Sequence, residues 1–507
     1  MNGEELYEAI GEVPERLILE AANPAGVKKA PFRHWKGLIA AALAAAVGVG
    51  AWQVLGGGPL PPPGAMAGGS GHPGDSSVFM SYGGPVFPLT LEGGAQGLEA
   101  ERELTYDFGG WSRRATDLAV TDGYTLYNDG PEDRTVRLIY PYAGTLTDPL
   151  PTLTLDGAPL DTALAAGHYA GCFTGAGSGP LNSVNLSHPS SWEDYAALLD
   201  GGGYQAAAFA PAPVLDQSVT VYEFHDYAAD YEGAPAATLA MSFDMDYSKT
   251  SILTYGFNGA EWDEERGFRR CSFFIPGPAD PSPYAGQPRL VVVVGEDIGD
   301  YEIQGYVNGG CEEELDGVAA RVERYPSTLG QVVDRLARWE VERGDSGLFL
   351  SNGLSSAEEM PYELYYRAVC QLLADYGPLG GDRKDRYDDG RLDDILSEAA
   401  VMERVLYLAA EVTVPAGGSV RVEARLRQRA SFDFACAGGE NQGIYGYDAV
   451  TRLGSWLSFG RQTARILHGE NVEIVRQNYG FDVAGGVTRV ELDPEVGRYY
   501  LEVRGVE

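Results

Sequence analysis

The sequence predicts a mainly β protein: a single transmembrane helix, then β-sandwich (Ig-like) ectodomain modules, with a three-helix segment packed on the C-terminal β module. Three observations predict it. One charge-free run of twenty residues, Gly37–Gly56, stands alone in the chain. From Val78 to about Tyr325, and again beyond Glu411, apolar and polar residues alternate with the period of half-buried strands. Between these stretches the spacing shifts to that of amphipathic helices.

The charge-free run comes first. At about 1.5 Å rise per residue, twenty helical residues cross the roughly 30 Å of bilayer hydrocarbon with every backbone group paired. Trp35 and Trp52 stand near its ends, where indoles favour the headgroup layer, and Lys28, Lys29, Arg33 and Lys36 lie on its N-terminal side as membrane-anchoring residues. The next basic residue is Arg102. The positive-inside rule then puts residues 1–36 in the cytoplasm and the chain beyond Gly56 outside, an integral plasma-membrane topology. A cleaved signal peptide has a shorter leader and core than this. No cysteine follows the run to carry a lipid anchor, and apolarity all round suits a soluble core helix poorly. Ala42, Ala46 and Gly50 share the four-residue spacing that lets a second helix approach.

Ahead of the run, Glu4–Ala22 reads as two short helices broken at Pro14, with Leu6, Ile10, Leu17 and Ile18 as a candidate partner-binding stripe. The run Leu6-Tyr7-Glu8-Ala9-Ile10-Gly11-Glu12-Val13, then Leu17-Ile18-Leu19-Glu20-Ala21, a basic patch and one span, resembles the start of membrane-anchored proteins of Gram-positive bacteria. Anti-sigma-like and sensor proteins for extracytoplasmic-function sigma factors are among them. The resemblance covers about the first 55 residues and implies a cytoplasmic partner such as a sigma factor. It lacks the His-x3-Cys-x2-Cys zinc motif of the better-defined anti-sigma domain. The other reading of the stripe is a juxtamembrane helix resting on the inner leaflet.

Residues 57–78 are a Pro/Gly linker. The β-rich region 79–325 is long enough for two sandwiches, with a boundary near 215. Tyr124–Asn128, a turn at Asp129-Gly130, and Thr135–Tyr140 read as strand, turn and strand; Ser218–Phe224 and Thr238–Tyr247 alternate in the same way. Asn258-Gly259 after Ser251–Phe257 is the strongest hairpin signal, and Arg289–Val294 reads as a buried strand. In the helical segment 326–408, Ser327 is placed to cap a helix carrying Leu329, Val332, Val333, Leu336 and Trp339 on one face. Ser356-x-x-Glu359 opens a second helix, and a third runs from about Leu392 to Leu408. Residues 409–507 are expected to close a C-terminal β module on which the helices pack.

Composition narrows function. The chain carries a net charge of −36, and residues 1–36 hold six acidic and five basic residues, so nearly all the excess acid lies beyond the span. Such a surface repels nucleic acid and anionic lipid. The five cysteines, at 172, 271, 311, 370 and 436, show no metal spacing and read as buried thiols. Asp385, Asp389 and Asp393 are the weak metal candidates: aligned as a calcium loop from Asp385, Gly390 falls correctly, but Tyr387 and Leu396 stand where carboxylates belong. Their alternative role is to favour the start of the third helix. Asp244 and Asp246 share a strand face with Ser242 and read as the wet side of an amphipathic strand. No Gly-x-Ser-x-Gly, Ser-x-x-Lys or His-Glu-x-x-His occurs, and no cofactor is expected. The 30 tyrosines suggest either half-buried strand positions or a sugar-stacking surface.

These expectations describe a non-enzymatic, single-pass envelope protein whose ectodomain senses or binds an extracellular ligand while its N-terminal stretch meets a partner inside. The alternatives are a cell-surface adhesion module on a simple anchor, and an envelope hydrolase.

Overall fold

A computed structural model describes residues 77, 79, 81–92, 98–167, 192–228, 237–275, 286–342, 361–375, 377–380, 389–434 and 439–506. The N-terminal apolar stripe, the basic cluster, the charge-free run, nearly all of the linker, the Ser356-x-x-Glu359 box, Asp385, Cys172 and Cys436 lie outside them. No helix of the described residues is long and apolar enough to cross a membrane.

The described chain is mainly β. It opens with β1 (Pro85–Val86), β2 (Thr90–Leu91), β3 (Glu99–Asp107), β4 (Leu118–Asn128), β5 (Arg134–Gly144), β6 (Thr152–Leu155), β7 (Ala158–Pro159) and β8 (Ala163–Ala166), then α1 (Trp192–Leu199) and α2 (Gly203–Ala208). An inserted block follows: β9 (Ser218–Ala228), β10 (Ala237–Asp244), β11 (Thr250–Tyr255), β12 (Gly259–Asp263), β13 (Phe268–Ile275), β14 (Leu290–Gly295), β15 (Tyr301–Tyr306) and β16 (Ala319–Thr328). It continues into α3 (Leu329–Glu342), α4 (Tyr362–Asp375) and α5 (Leu392–Val401). The chain ends with β17 (Arg404–Val414), β18 (Gly418–Gln428), β19 (Tyr445–Val450), β20 (Ser458–Leu467), β21 (Val472–Gln477), β22 (Arg489–Glu491) and β23 (Arg498–Gly505).

Residues 409–507 do not form a module of their own. Sheet I has the order β21-β23-β19-β1-β5-β17-β8 with β2 also on β5, and sheet II the order β22-β20-β3-β4-β18-β6-β7, so both mix strands from the two ends of the chain. β5 pairs with β17 along their whole length, and β4 with β18. The two sheets face each other across Tyr124, Leu126, Leu138, Tyr140, Leu406 and Val422 at one end and Leu104, Val120, Tyr447, Ile466 and Leu501 at the other. Sheets of eight and seven strands exceed the roughly seven to nine strands in total of an immunoglobulin-type domain. The turn after Asn128 joins sheet II to sheet I, and the Pro415 turn joins sheet I to sheet II. The two turns lie side by side, with Gly417 N donating to Gly130 O at 3.0 Å.

The inserted block has two four-stranded sheets, sheet III (β11-β14-β9-β16) and sheet IV (β12-β13-β10-β15). Tyr222, Phe224, Val291 and Val293 of sheet III meet Leu239, Met241, Cys271 and Phe273 of sheet IV. The opposite face of sheet III, Val219, Val221, Leu253, Tyr255, Leu290 and Val292, packs on the three helices. Burial on both faces is why Leu290–Val293 is uninterruptedly apolar.

Four expectations need correcting. Asn258-Gly259 is no hairpin, because β11 belongs to sheet III and β12 to sheet IV; the pair carries the chain from one layer to the other. The third helix stops at Val401, and the strand expected at Glu411 begins at Arg404. The run is apolar throughout because β17 is covered on one face by sheet II and on the other by α1 and α2 through Tyr195, Leu199 and Tyr204, which erases the strand period. Thr328 caps α3 in place of Ser327: its hydroxyl accepts from Gln331 N at 3.4 Å, and Gln331 Oε1 accepts from Thr328 N at 3.4 Å. The helices dock mainly on sheet III, where Thr254 N donates to Gly390 O at 2.9 Å, and just ahead of β9 Gly330 N donates to Leu215 O at 2.8 Å. Leu146 N, donating to Ala400 O at 3.1 Å, ties them to the outer pair of sheets.

Candidate functional site

A cleft of about 780 Å³ opens where the end of β9 parts from β14 beside α3, lined by Glu223–Tyr227, Gly286–Pro288 and the Asp334, Arg335, Arg338, Trp339 and Glu342 side of the helix. The local sequence explains its wall. Glu223 continues the Val219/Val221 face of β9, which turns toward the helices, so the strand period carries a carboxylate onto an otherwise apolar surface. Only 8% exposed, Glu223 needs a partner. Arg335 supplies it with two bonds, Nη2 to Oε1 at 2.5 Å and Nη1 to Oε2 at 2.8 Å. Tyr325 Oη donates to Oε2 at 2.7 Å. Burial would raise this carboxyl, but the Arg335 and Tyr325 bonds outweigh it and hold it below the usual range.

β9 then bulges. Its register with β16 slips between Ala319 and Arg321, and Asp226 adopts φ 50°, a left-handed conformation uncommon outside glycine. The bulge turns His225, Asp226 and Tyr227 all into the cleft lining. Glu223 stands directly across from Glu323 of β16. The His225 imidazole bridges that like-charged pair, with Nε2 at 4.0 Å from Glu223 and 3.7 Å from Glu323.

On α3, Arg338 pairs with Asp334 at 3.0 and 3.1 Å and lies 4.1 Å over the Tyr362 ring. Tyr362 Oη donates to the same Asp334 carboxylate. Behind the cleft, Gln287 donates to Asp393 at 3.1 Å, and Gly256 N donates to both Asp393 oxygens at 3.0 and 2.9 Å. Burial raises the Asp393 carboxyl to about 7, against the lowering effects of the Gly256 amide and Arg391. Tyr255 Oη donates to Glu340 beside it.

The sequence candidates fare differently. Asp389 and Asp393 serve structural bonds: Asp389 Oδ1 accepts from Arg391 N at 3.2 Å, its carbonyl accepts from Arg269 at 2.6 Å, and Asp393 fastens α5 to β11. Gly390 has φ 77°, and a Cβ there would stand 2.1 Å from Ile252 O, so close approach to β11 explains the glycine that resembles a calcium-loop position. Among the described residues no group of three or more His, Cys, Asp or Glu is placed to hold a metal ion. Asp244 and Asp246 are exposed, and Asp246 accepts from Ser248 in the following turn. Cys271 and Cys370 are buried free thiols, while Cys311 is partly exposed. Trp339, on the apolar face of α3, packs against the core from a half-buried position and also lines the cleft. Sequence reasoning missed the cleft, although a glutamate in phase with Val219 and Val221 was a legible signal.

The groups gathered here are planar hydrogen-bonding pairs, an imidazole, an indole and a phenol. No protein-family model matches the sequence, and no curated protein matches it.

Proposed function

We propose that the chain is a single-pass envelope protein whose N-terminus meets a cytoplasmic partner such as a sigma factor, and whose β-rich body binds a ligand outside. The paired sheets are read as β-sandwich modules held off the bilayer by the Pro/Gly linker. One observation carries the topology: the charge-free Gly37–Gly56 run follows four basic residues and precedes a strongly acidic remainder. The cleft beside α3 favours a ligand-binding body over a plain adhesive surface, because bidentate pairs and a bulged strand converge in one concavity.

Protease added to intact, wall-stripped cells is expected to digest the chain beyond Gly56 and to leave a small membrane-bound fragment. Full-length soluble protein in the medium, or a protected body, overturns the topology. Changing Leu6 and Ile10 to Asp is expected to abolish capture of the cytosolic partner without altering insertion; unchanged capture returns that stripe to the leaflet.

A further inference from the structure

We infer that the cleft beside α3 takes an uncharged saccharide. This rests on reading the body as a ligand-binding one. Both guanidinium groups of the wall are already neutralised, Arg335 by Glu223 and Arg338 by Asp334. An anion gains full pairing only by breaking one of these two-bond pairs, and the Asp226 and Glu342 carboxylates of the same lining repel it. Hydroxyl groups need no such break. Each vicinal sugar hydroxyl both donates and accepts, and the wall alternates fixed donors and acceptors within one turn of helix, at Asp334, Arg335 and Arg338.

The fixing is itself visible. Tyr325 bonds Glu223 from one side, and Tyr362 both bonds Asp334 and lies beneath the Arg338 guanidinium. Groups held in this way lose little freedom on binding, which matters for a ligand whose hydroxyls give up water bonds of equal strength. Trp339 and Tyr227 add aromatic surface for the C–H face of a pyranose ring. The Arg289 guanidinium, 5.3 Å over the Tyr227 ring, braces that phenol from behind. The chain's excess acid works against anionic glycans.

The test uses the full chain in detergent and follows tryptophan fluorescence and calorimetric heats against three tetramers. Chitotetraose is uncharged, its deacetylated form is cationic on the same backbone, and tetragalacturonate is anionic. Cellotetraose and maltotetraose extend the uncharged set. At least one uncharged tetramer is expected to bind, and Arg338→Gln is expected to weaken it about tenfold, equivalent to about 1.4 kcal/mol. Trp339→Phe, chosen to keep the packing, is expected to weaken it less; an unchanged melting temperature in both variants shows the fold intact. Failure of every uncharged tetramer overturns the inference. Binding of a charged tetramer instead overturns the ligand class and leaves the ligand-binding reading standing. Saccharide binding unmoved by either substitution overturns the location.

Discussion

The outer pair of sheets and the inserted block solve the problem of buried charge in opposite ways. In the outer pair, Arg102 and Asp122 sit fully buried between the two apolar halves of the core. Their bonds are closed on all sides: Arg102 donates to Asp122 at 2.8 and 2.9 Å, to Val450 O at 2.7 Å and to Phe87 O at 3.3 Å, tying sheet II to the chain of sheet I. Tyr124 Oη donates to Asp122 and accepts from Leu89 N. Asp448 is likewise enclosed by Tyr82 and Arg498. In the inserted block the layer between sheets III and IV is mainly aromatic and aliphatic, and the charged pairs stand on the other face of sheet III, where α3 meets β9. The Arg102–Asp122 and Asp448 networks are enclosed by the fold, whereas the pairs at the cleft keep a side facing solvent. The comparison teaches where to look for binding: at paired charges that the fold has oriented but not enclosed.

The largest expected effect breaks the enclosed pair. Asp122→Ala leaves the Arg102 guanidinium buried without its counter-charge and is expected to cost about 3–5 kcal/mol in denaturant unfolding. Hydrogen exchange should then show β4 and β18 opening before β9 and β14. The reverse order would erase the distinction between the two regions.

Leu336→Ala probes the other side. Leu336 is 0% exposed at the α3 contact with sheet III, and its truncation is expected to cost about 2–4 kcal/mol. Protection should now fail first in β9, β11 and β14. Loss confined to β17–β23 would return the helices to the C-terminal strands.

Asp393 sharpens the comparison through pH. Because its folded pKa is raised to about 7, the unfolded chain loses this proton above about pH 4 while the folded one keeps it, so stability falls as pH rises between the two values. Asp393→Asn is expected to flatten that slope and to be the more stable form at pH 7 by about 1–2 kcal/mol, the half-buried carboxylate limiting the effect. Parallel profiles for the two proteins would refute it.

Tyr325→Phe should have the smallest effect, about 1 kcal/mol, by removing one bond from Glu223. Glu223 is held below the usual carboxylate range, so its contribution is complete above that range and fades as pH falls through the lowered value. Without the Tyr325 hydroxyl the acid unfolding midpoint is expected to move to higher pH. An unmoved midpoint would mean Arg335 alone sets the carboxylate.

Features made by near neighbours were legible in the sequence. The buried Leu290–Val293 run, the wet face of Asp244 and the apolar stripe of α3 each follow from a period read over a few residues. Pairings between distant segments were not: nothing in Arg134–Gly144 names Arg404–Val414 as its partner, so the two ends of the chain read as separate modules. Asn258-Gly259 and the Leu392–Leu408 helix misled for a related reason. A turn signal does not say which sheet comes next, and a strand covered on both faces has no period to read. Glu223 was the one trace of the cleft, and only Tyr325 and Arg335, both distant from it along the chain, reveal its purpose.

The pairing of β5 with β17 also sets a clock on biosynthesis. About 260 residues separate Gly144 from its partner Arg404, so at about 5–20 residues per second β4 and β5 wait some tens of seconds with open edges after they emerge. Every strand of sheets III and IV finds its neighbours within residues 218–328 and meets no such delay. The inserted block therefore assembles while the outer sheets are still half-made, and the last strands to emerge complete the structure that the first ones began. A nascent chain stopped before Arg404 would hold a formed insert between unpaired edges, the state most exposed to aggregation and to quality-control proteases.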